Sequence, residues 1–225
     1  MSSNGLRRIS IRGGKFHVIA DGEEVTRDLG YMDAVIVNAA PVSRAYYGDA
    51  YDPNRVAVPT CWSPDTQLPD REVPQEQRQS ARCMDCPQNI RGSGSYGGRA
   101  CRFSQRLAVV FRDDPEEVYQ LQIPATSIFG STNSGDRGMQ HYARFLAKHD
   151  TPVVTIITKI YFDEDSVVPK LCFKPVDRLD EDTLERVSAM IDHEDTIQAI
   201  TMSIPTTSEP VSPFGVVEGF ELNAN

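Results

Sequence analysis

From Val42 to about Ala100 the chain carries no hydrophobic periodicity of either kind, and Pro, Asp, Ser, Gly and Gln dominate it. A segment of this length without patterning is uncommon inside a compact domain, so something other than a broad apolar core must order it. The same stretch begins to collect cysteines: four of the chain's five, Cys61, Cys83, Cys86 and Cys101, lie in or at the end of it. Its densest part, CMDCPQNIRGSGSYGGRACR at 83–102, joins three of these thiols to four glycines, three arginines and a tyrosine.

Five cysteines with this uneven spacing do not make a disulfide scaffold, and a local cluster in a reducing compartment points to metal first. Structural zinc takes four ligands in a tetrahedron, and a CxxC turn supplies two thiolates from one knuckle of backbone. Cys83 and Cys86 form that turn, with Cys61 upstream and Cys101 downstream as the remaining pair. The second pair is not a CxxC, so the pattern departs from a symmetrical zinc ribbon. A bound zinc ion accounts for order in an unpatterned insertion. A redox dithiol fits less well because no strand leads into the motif, and an iron–sulfur cluster stays open beside zinc. A catalytic zinc is disfavoured, since no His lies in the segment.

The net charge of −9 is unevenly spread. Residues 71–112 hold eight Arg against three acidic residues, whereas 177–225 hold two Arg against eleven. A basic middle joined to an acidic end says more than the total. GSGSYGG matches neither the Walker pattern nor GxGxxG between strand and helix, which argues against a nucleoside triphosphate. Glycines beside arginines instead let backbone amides and guanidinium groups approach a sugar-phosphate chain while aromatic rings stack on bases. The candidate DNA-contacting residues are Arg91, Arg99, Arg102 and Arg106, with Trp62, Tyr96, Phe103, Tyr46 and Tyr47 as stacking platforms and Tyr51 beside them. For Trp62, packing around the metal is as good an expectation as stacking.

Outside the insertion the patterning is regular. LRRISIRGG and KFHVIADGEEV read as short strands and turns, the second with an Asp-Gly turn signal. YMDAVIVNAAP at 31–41 reads as a buried strand, and RLAVVFRD (106–113) and EVYQLQIPA (117–125) as two strands joined by the turn DDPE. Met139, Tyr142, Phe145 and Leu146 stand at helical spacing, predicting an amphipathic helix near 136–149. Strands at 152–162 and 169–176 follow, the second with Cys172 as a core thiol, and then one or two acidic helices over 179–200. Strand, insertion, strand, hairpin, strand, helix, strand, strand is the order of an OB-fold barrel, whose oligonucleotides bind the face of strands 2 and 3 and the loops L12 and L45. The expected fold is therefore mainly β (α+β): one OB-like five-stranded barrel over 1–205, a zinc-stabilised insertion at about 52–103, a C-terminal helical segment, and a flexible acidic and apolar tail at 206–225.

No apolar run reaches the roughly 18 to 20 residues of a membrane span, so a soluble, cytosolic protein is expected. The histidines His17, His141, His149 and His193 are scattered, and no nucleophile–base grouping or catalytic carboxylate pair stands out, so no enzyme is expected. Phe214, Phe220 and Leu222 in the tail are candidate anchors for a replication partner, against the plainer reading of a solubilising tail.

Taken together, YYGDAYDP, CWSPD, CMDCPQN, GSG, ACRFSQRLAVV and QLQIPATSIFG resemble a family of tailed-bacteriophage proteins found among early replication-type genes and associated with single-stranded DNA binding. The similarity runs from about residue 42 to 176. It implies that Cys61, Cys83, Cys86 and Cys101 act together and brings Trp62, Arg102 and Arg106 with them. The expectation is a phage single-stranded DNA-binding protein of the infected host's cytoplasm, with structural zinc, that coats single strands with little sequence preference during replication or recombination. Phage or host replication proteins are expected partners through the tail, no membrane is involved, and self-association is left open. The alternative is an interaction protein whose zinc module grips a host replication, transcription or nuclease enzyme.

Overall fold

The computed structural model describes residues 6–27, 30–49, 57–130 and 137–204. Tyr51, Phe214, Phe220 and Leu222 lie outside the described residues, as does the tail expected at 206–225. The chain divides into two compact units, one built from Met1–Ser43 with Arg102–Thr201 and the other from Arg44–Cys101 with the chain from Met202 on. Most of the stretch at about 52–103 read as an insertion falls in the second of these units.

In chain order the strands are β1 (Arg8–Arg12), β2 (Lys15–Ala20), β3 (Glu23–Arg27), β4 (Tyr31–Ala39), β5 (Ser43–Tyr46), β6 (Cys61–Ser63), β7 (Cys101–Phe111), β8 (Asp114–Pro124), β9 (Ile156–Phe162) and β10 (Leu171–Arg178). The α-helices are α1 (Ala125–Phe129), α2 (Met139–Lys148), α3 (Glu181–Ala189) and α4 (Glu194–Ile200). No described helix is long and apolar enough to cross a membrane.

The first unit is a mainly β structure with a few helices, built on a curled open sheet in the order β10-β9-β4-β7-β8-β1-β2-β3. Its N-terminal end is a meander of two-residue hairpins. Gly13 and Gly14 turn β1 into β2, and Asp21 and Gly22 turn β2 into β3, all four with positive φ. Such turns match the twist of antiparallel strands, which is why Gly-Gly and Asp-Gly mark them in sequence.

Alternation along the central strands gives the sheet two buried faces. Ala34 and Ile36 of β4 and Leu107, Val109 and Phe111 of β7 point into one core, with Phe16, Leu121, Ile160 and Phe173. Val35, Val37, Ala108 and Val110 point into the other, where Val187, Met190 and Ala199 from α3 and α4 and the turns beside them cover the sheet. Burial on both faces explains the near-continuous apolar runs AVIV and LAVVF, where a half-exposed strand would alternate. On the first face α2 sets Met139, Tyr142 and Leu146 inward at helical spacing. Tyr142 stacks on Phe173 at 6.0 Å between ring centroids.

Several boundaries move for physical reasons. The turn between β7 and β8 is Arg112-Asp113, not DDPE, because Phe111 pairs with Asp114. Pro115 falls at the start of β8, beside a register shift after Val109, where a missing N–H does the ladder least harm. The helix expected from 136 is described from Met139, and Val153–Thr155 form a single 3-10 turn before β9 begins at Ile156. Cys172 is fully buried, as expected of a core thiol, but so are Leu171 and Phe173 on either side, so the strand is covered on both faces here and does not alternate. Among the described residues β8 has β1 as its second neighbour, in parallel register Arg8 to Gln120 and Ile9 to Leu121, so beside the expected OB-like five-stranded barrel the sheet is curled and open, a half-barrel.

Candidate functional site

The second unit has little apolar material of its own. Its core is Cys61, Trp62 and Val73, with Ala45, Tyr46, Met202 and Ile204 packed against them. The antiparallel pair β5 and β6 sets Arg44 opposite Ser63 and Tyr46 opposite Cys61. Beyond β6 the backbone runs through short turns. Cys83 opens the 3-10 turn Cys83–Asp85, and Cys86 lies between that turn and the next, Pro87–Asn89. Cys101 is the first residue of β7.

These four positions, far apart in sequence, converge. Cys61, Cys83, Cys86 and Cys101 are each buried and line one cavity of about 10 Å³, room for about one atom-sized occupant. Arg44 and Ser63 line it too, and among the described residues Arg44 is the one charged side chain that does so. Arg44 is 7% exposed, and its Nη1 donates to the carbonyl oxygen of Cys83 at 3.0 Å.

Burial pushes the Cys83 thiol up, while a hydrogen bond with Ser63 and the positive charge of Arg44 pull it back. Cys101 is pushed up to about 12, chiefly by burial, with Arg44 again opposing and the other three sulfurs adding to the rise. Cys83 and Cys101 are therefore stable there as neutral thiols, or as thiolates beside a cation. Among the described residues no group of three or more His, Cys, Asp or Glu stands in a metal-holding arrangement. The donor types lining the cavity are nonetheless those that a soft or borderline metal takes: four cysteines, with no carboxylate and one arginine beside them among the described residues.

The glycine-arginine segment between Cys86 and Cys101 is folded on itself. The N–H groups of Gly92 and Gly94 both donate to the carbonyl oxygen of Gly98, at 2.8 and 3.1 Å. The Ser93 hydroxyl donates to the carbonyl oxygen of Ile90 and accepts from the N–H of Ala100. A Cβ at Gly94 would stand 2.7 Å from the backbone nitrogen of Ala100, so the loop closes only on glycine there. Arg91 and Arg99 are exposed. Arg99 also donates from Nε to the carbonyl oxygen of Asn89 at 2.7 Å, which fixes its stem. The side chain of Tyr96 lies outside those described.

The other sequence candidates divide. Tyr47 is exposed, while Tyr46 is half-buried against the small core. In the first unit Arg102 is exposed, and Phe103 meets the exposed Phe129 edge to face at 5.5 Å. Two candidates are buried. Trp62 is 9% exposed and packs with Cys61 and Val73, the packing reading that stood beside stacking. Arg106 is 7% exposed, with Nη1 turned to the hydroxyl of Ser43. Sequence reasoning missed Arg44: in VSRAYY nothing separates it from a surface arginine, and only the pairing of β5 with β6 brings it among the thiols.

Comparison with protein-family models, with curated proteins and with solved structures finds no match.

Proposed function

We propose that this protein binds single-stranded DNA, and that a structural zinc ion held by Cys61, Cys83, Cys86 and Cys101 orders the unit that carries its basic loop. The observation that carries the reading is the loop between Cys86 and Cys101. It is glycine-built, bonded to itself, bracketed by two thiols of one cavity, and it presents Arg91 and Arg99 to solvent. Guanidinium groups on a rigid loop meet phosphates without reading sequence, as coating of single strands requires.

The first unit supports the same reading. Numbering β4, β7, β8, β9 and β10 as five barrel strands, the pairings first with second, second with third, first with fourth and fourth with fifth follow the order of an OB-fold, with α2 between third and fourth. The β1–β3 meander takes up the free edge of β8 instead of closing the ring. In that frame the second unit is the first inter-strand loop, where OB-folds place oligonucleotide contacts. Arg102 and Phe103 then lie at the start of the second strand. The setting the sequence resemblance implies, the cytoplasm of a phage-infected bacterium during replication or recombination, goes with this reading.

Anisotropy titration of a labelled oligo-dT, beside a duplex of the same length, tests the proposal. Binding should prefer the single strand and weaken as salt rises, because counterion release drives it. No binding to oligo-dT at low salt ends the reading. Elemental analysis of the purified protein should give about one zinc per chain, the stoichiometry of a four-thiolate site; iron in its place would make the centre a cluster, and no metal would leave four plain core thiols.

A second reading has an observation of its own. Leu68, Met84 and Ile90 of the second unit are 56%, 72% and 64% exposed, an apolar content that suits a protein partner such as a host replication, transcription or nuclease enzyme. It predicts co-purification with that partner after nuclease treatment, and a loop whose arginines are dispensable for DNA.

A further inference from the structure

We propose that Arg44 is the built-in counter-charge of the four-cysteine centre and sets how tightly its metal is held. The inference rests on the zinc reading above and adds a residue to it. Four thiolates around a divalent cation carry a net charge of −2, and burial of uncompensated charge is costly in a site this dry. Cys61, Cys83, Cys86 and Cys101 are each no more than 8% exposed, so solvent does little of the compensation. Arg44, itself 7% exposed, is the one charged side chain lining the same cavity among the described residues.

Its position is over-determined by the fold. Pairing of β5 with β6 holds the Arg44 backbone opposite Ser63, two residues along the strand from Cys61. Its Nη1 is anchored on the carbonyl oxygen of Cys83, the first residue of the CxxC turn. One side chain therefore ties β5, the pairing partner of the strand that presents Cys61, to the turn that presents Cys83 and Cys86. A guanidinium suits the place because it stays charged when buried, which an amine does not do as readily. Arg44 is a positioning residue: it touches the ligands' environment, not the metal. Groups in this position typically change metal affinity by about 10- to 100-fold when removed.

The full-length zinc-loaded protein is mixed with an excess of a chromophoric zinc chelator, and zinc transfer is timed for wild type, R44K and R44M. R44M should release zinc about 10- to 100-fold faster, and R44K, which keeps the charge and loses the fork, should fall between R44M and wild type. Cobalt(II) substitution supplies a second readout. The sulfur-to-cobalt absorption should shift in R44M and stay near the wild-type position in R44K, a response to charge that a merely structural role would not give. Should R44M fail to fold, R44Q replaces it in both measurements. Equal release rates in wild type and the neutral variant, or equal losses in R44K and R44M, overturn the assignment of Arg44 while leaving zinc in place. A wild-type protein that holds no metal overturns the zinc reading itself.

Discussion

The hydroxyls of Tyr142 and Thr158 share a hydrogen bond of 2.7 Å in the interior of the first unit, where both residues are fully buried. It joins α2 to β9, and burial pushes the Tyr142 phenol up, keeping it a neutral donor or acceptor. Tyr142→Phe leaves the Thr158 hydroxyl without this partner, which should cost about 1–3 kcal/mol in chemical denaturation. The double variant Y142F/T158V, apolar on both sides, should recover much of that loss. If the double variant is as unstable as the single changes combined, the bond is not what holds α2 to the strand.

The cysteines should divide four against one. Cys61→Ser, Cys83→Ser, Cys86→Ser and Cys101→Ser should each drop zinc from about one per chain towards none, since a structural site tolerates no missing thiolate. Cys172→Ser, in β10 of the other unit, should keep its zinc and lose stability alone, by about 1–3 kcal/mol for a hydroxyl buried where a thiol sat. Metal content by elemental analysis and melting by circular dichroism separate the two behaviours.

Arginines on the loop and inside the sheet should likewise behave differently. The double change R91A/R99A should weaken binding to oligo-dT and lower the slope of log affinity against log salt by roughly 0.7 for each phosphate that is no longer neutralised. Arg106→Ala should lower the melting temperature with little effect on that slope, because its guanidinium lies inside against Ser43. Trp62→Ala should behave as a core truncation and destabilise the second unit by about 3–5 kcal/mol. A steep loss of DNA affinity in a well-folded W62A protein would return that ring to the binding surface.

Asp180 caps α3, accepting from the backbone N–H of Thr183 at 2.9 Å and from its hydroxyl at 3.0 Å. Those bonds, the backbone one foremost, hold its carboxyl below the ordinary value of 3.8. Because the folded value is depressed, the stabilisation is present above 3.8 and is lost as pH falls through the lower folded value. The amide signal of Thr183 in an NMR titration should therefore move with a midpoint below 3.8. In Asp180→Asn, which still caps but does not titrate, that midpoint should vanish while α3 persists.

Much of this protein was legible along the chain because the relevant physics is local. Gly13-Gly14 and Asp21-Gly22 demand positive φ, Met139, Tyr142 and Leu146 recur at helical spacing, and the apolar runs of β4 and β7 read as strands whatever they pair with. The grouping of Cys61, Cys83, Cys86 and Cys101 was also visible, since an unpatterned insertion with four thiols needs something to hold it.

The tertiary structure decided what depends on distant segments competing for the same surface. β8 takes β1 as its neighbour, more than a hundred residues away, so the sheet is an open half-barrel where strand order alone suggested an OB-like barrel. Trp62 and Arg106 go inside, and Arg91 and Arg99 stay outside, although the sequence offered all four as DNA-contacting candidates. Arg44 ends among the thiols because β5 meets β6 in one register. Composition sets which groups are present, but burial and charge compensation are properties of where the chain returns to itself, and those returns are fixed only when the whole core is packed.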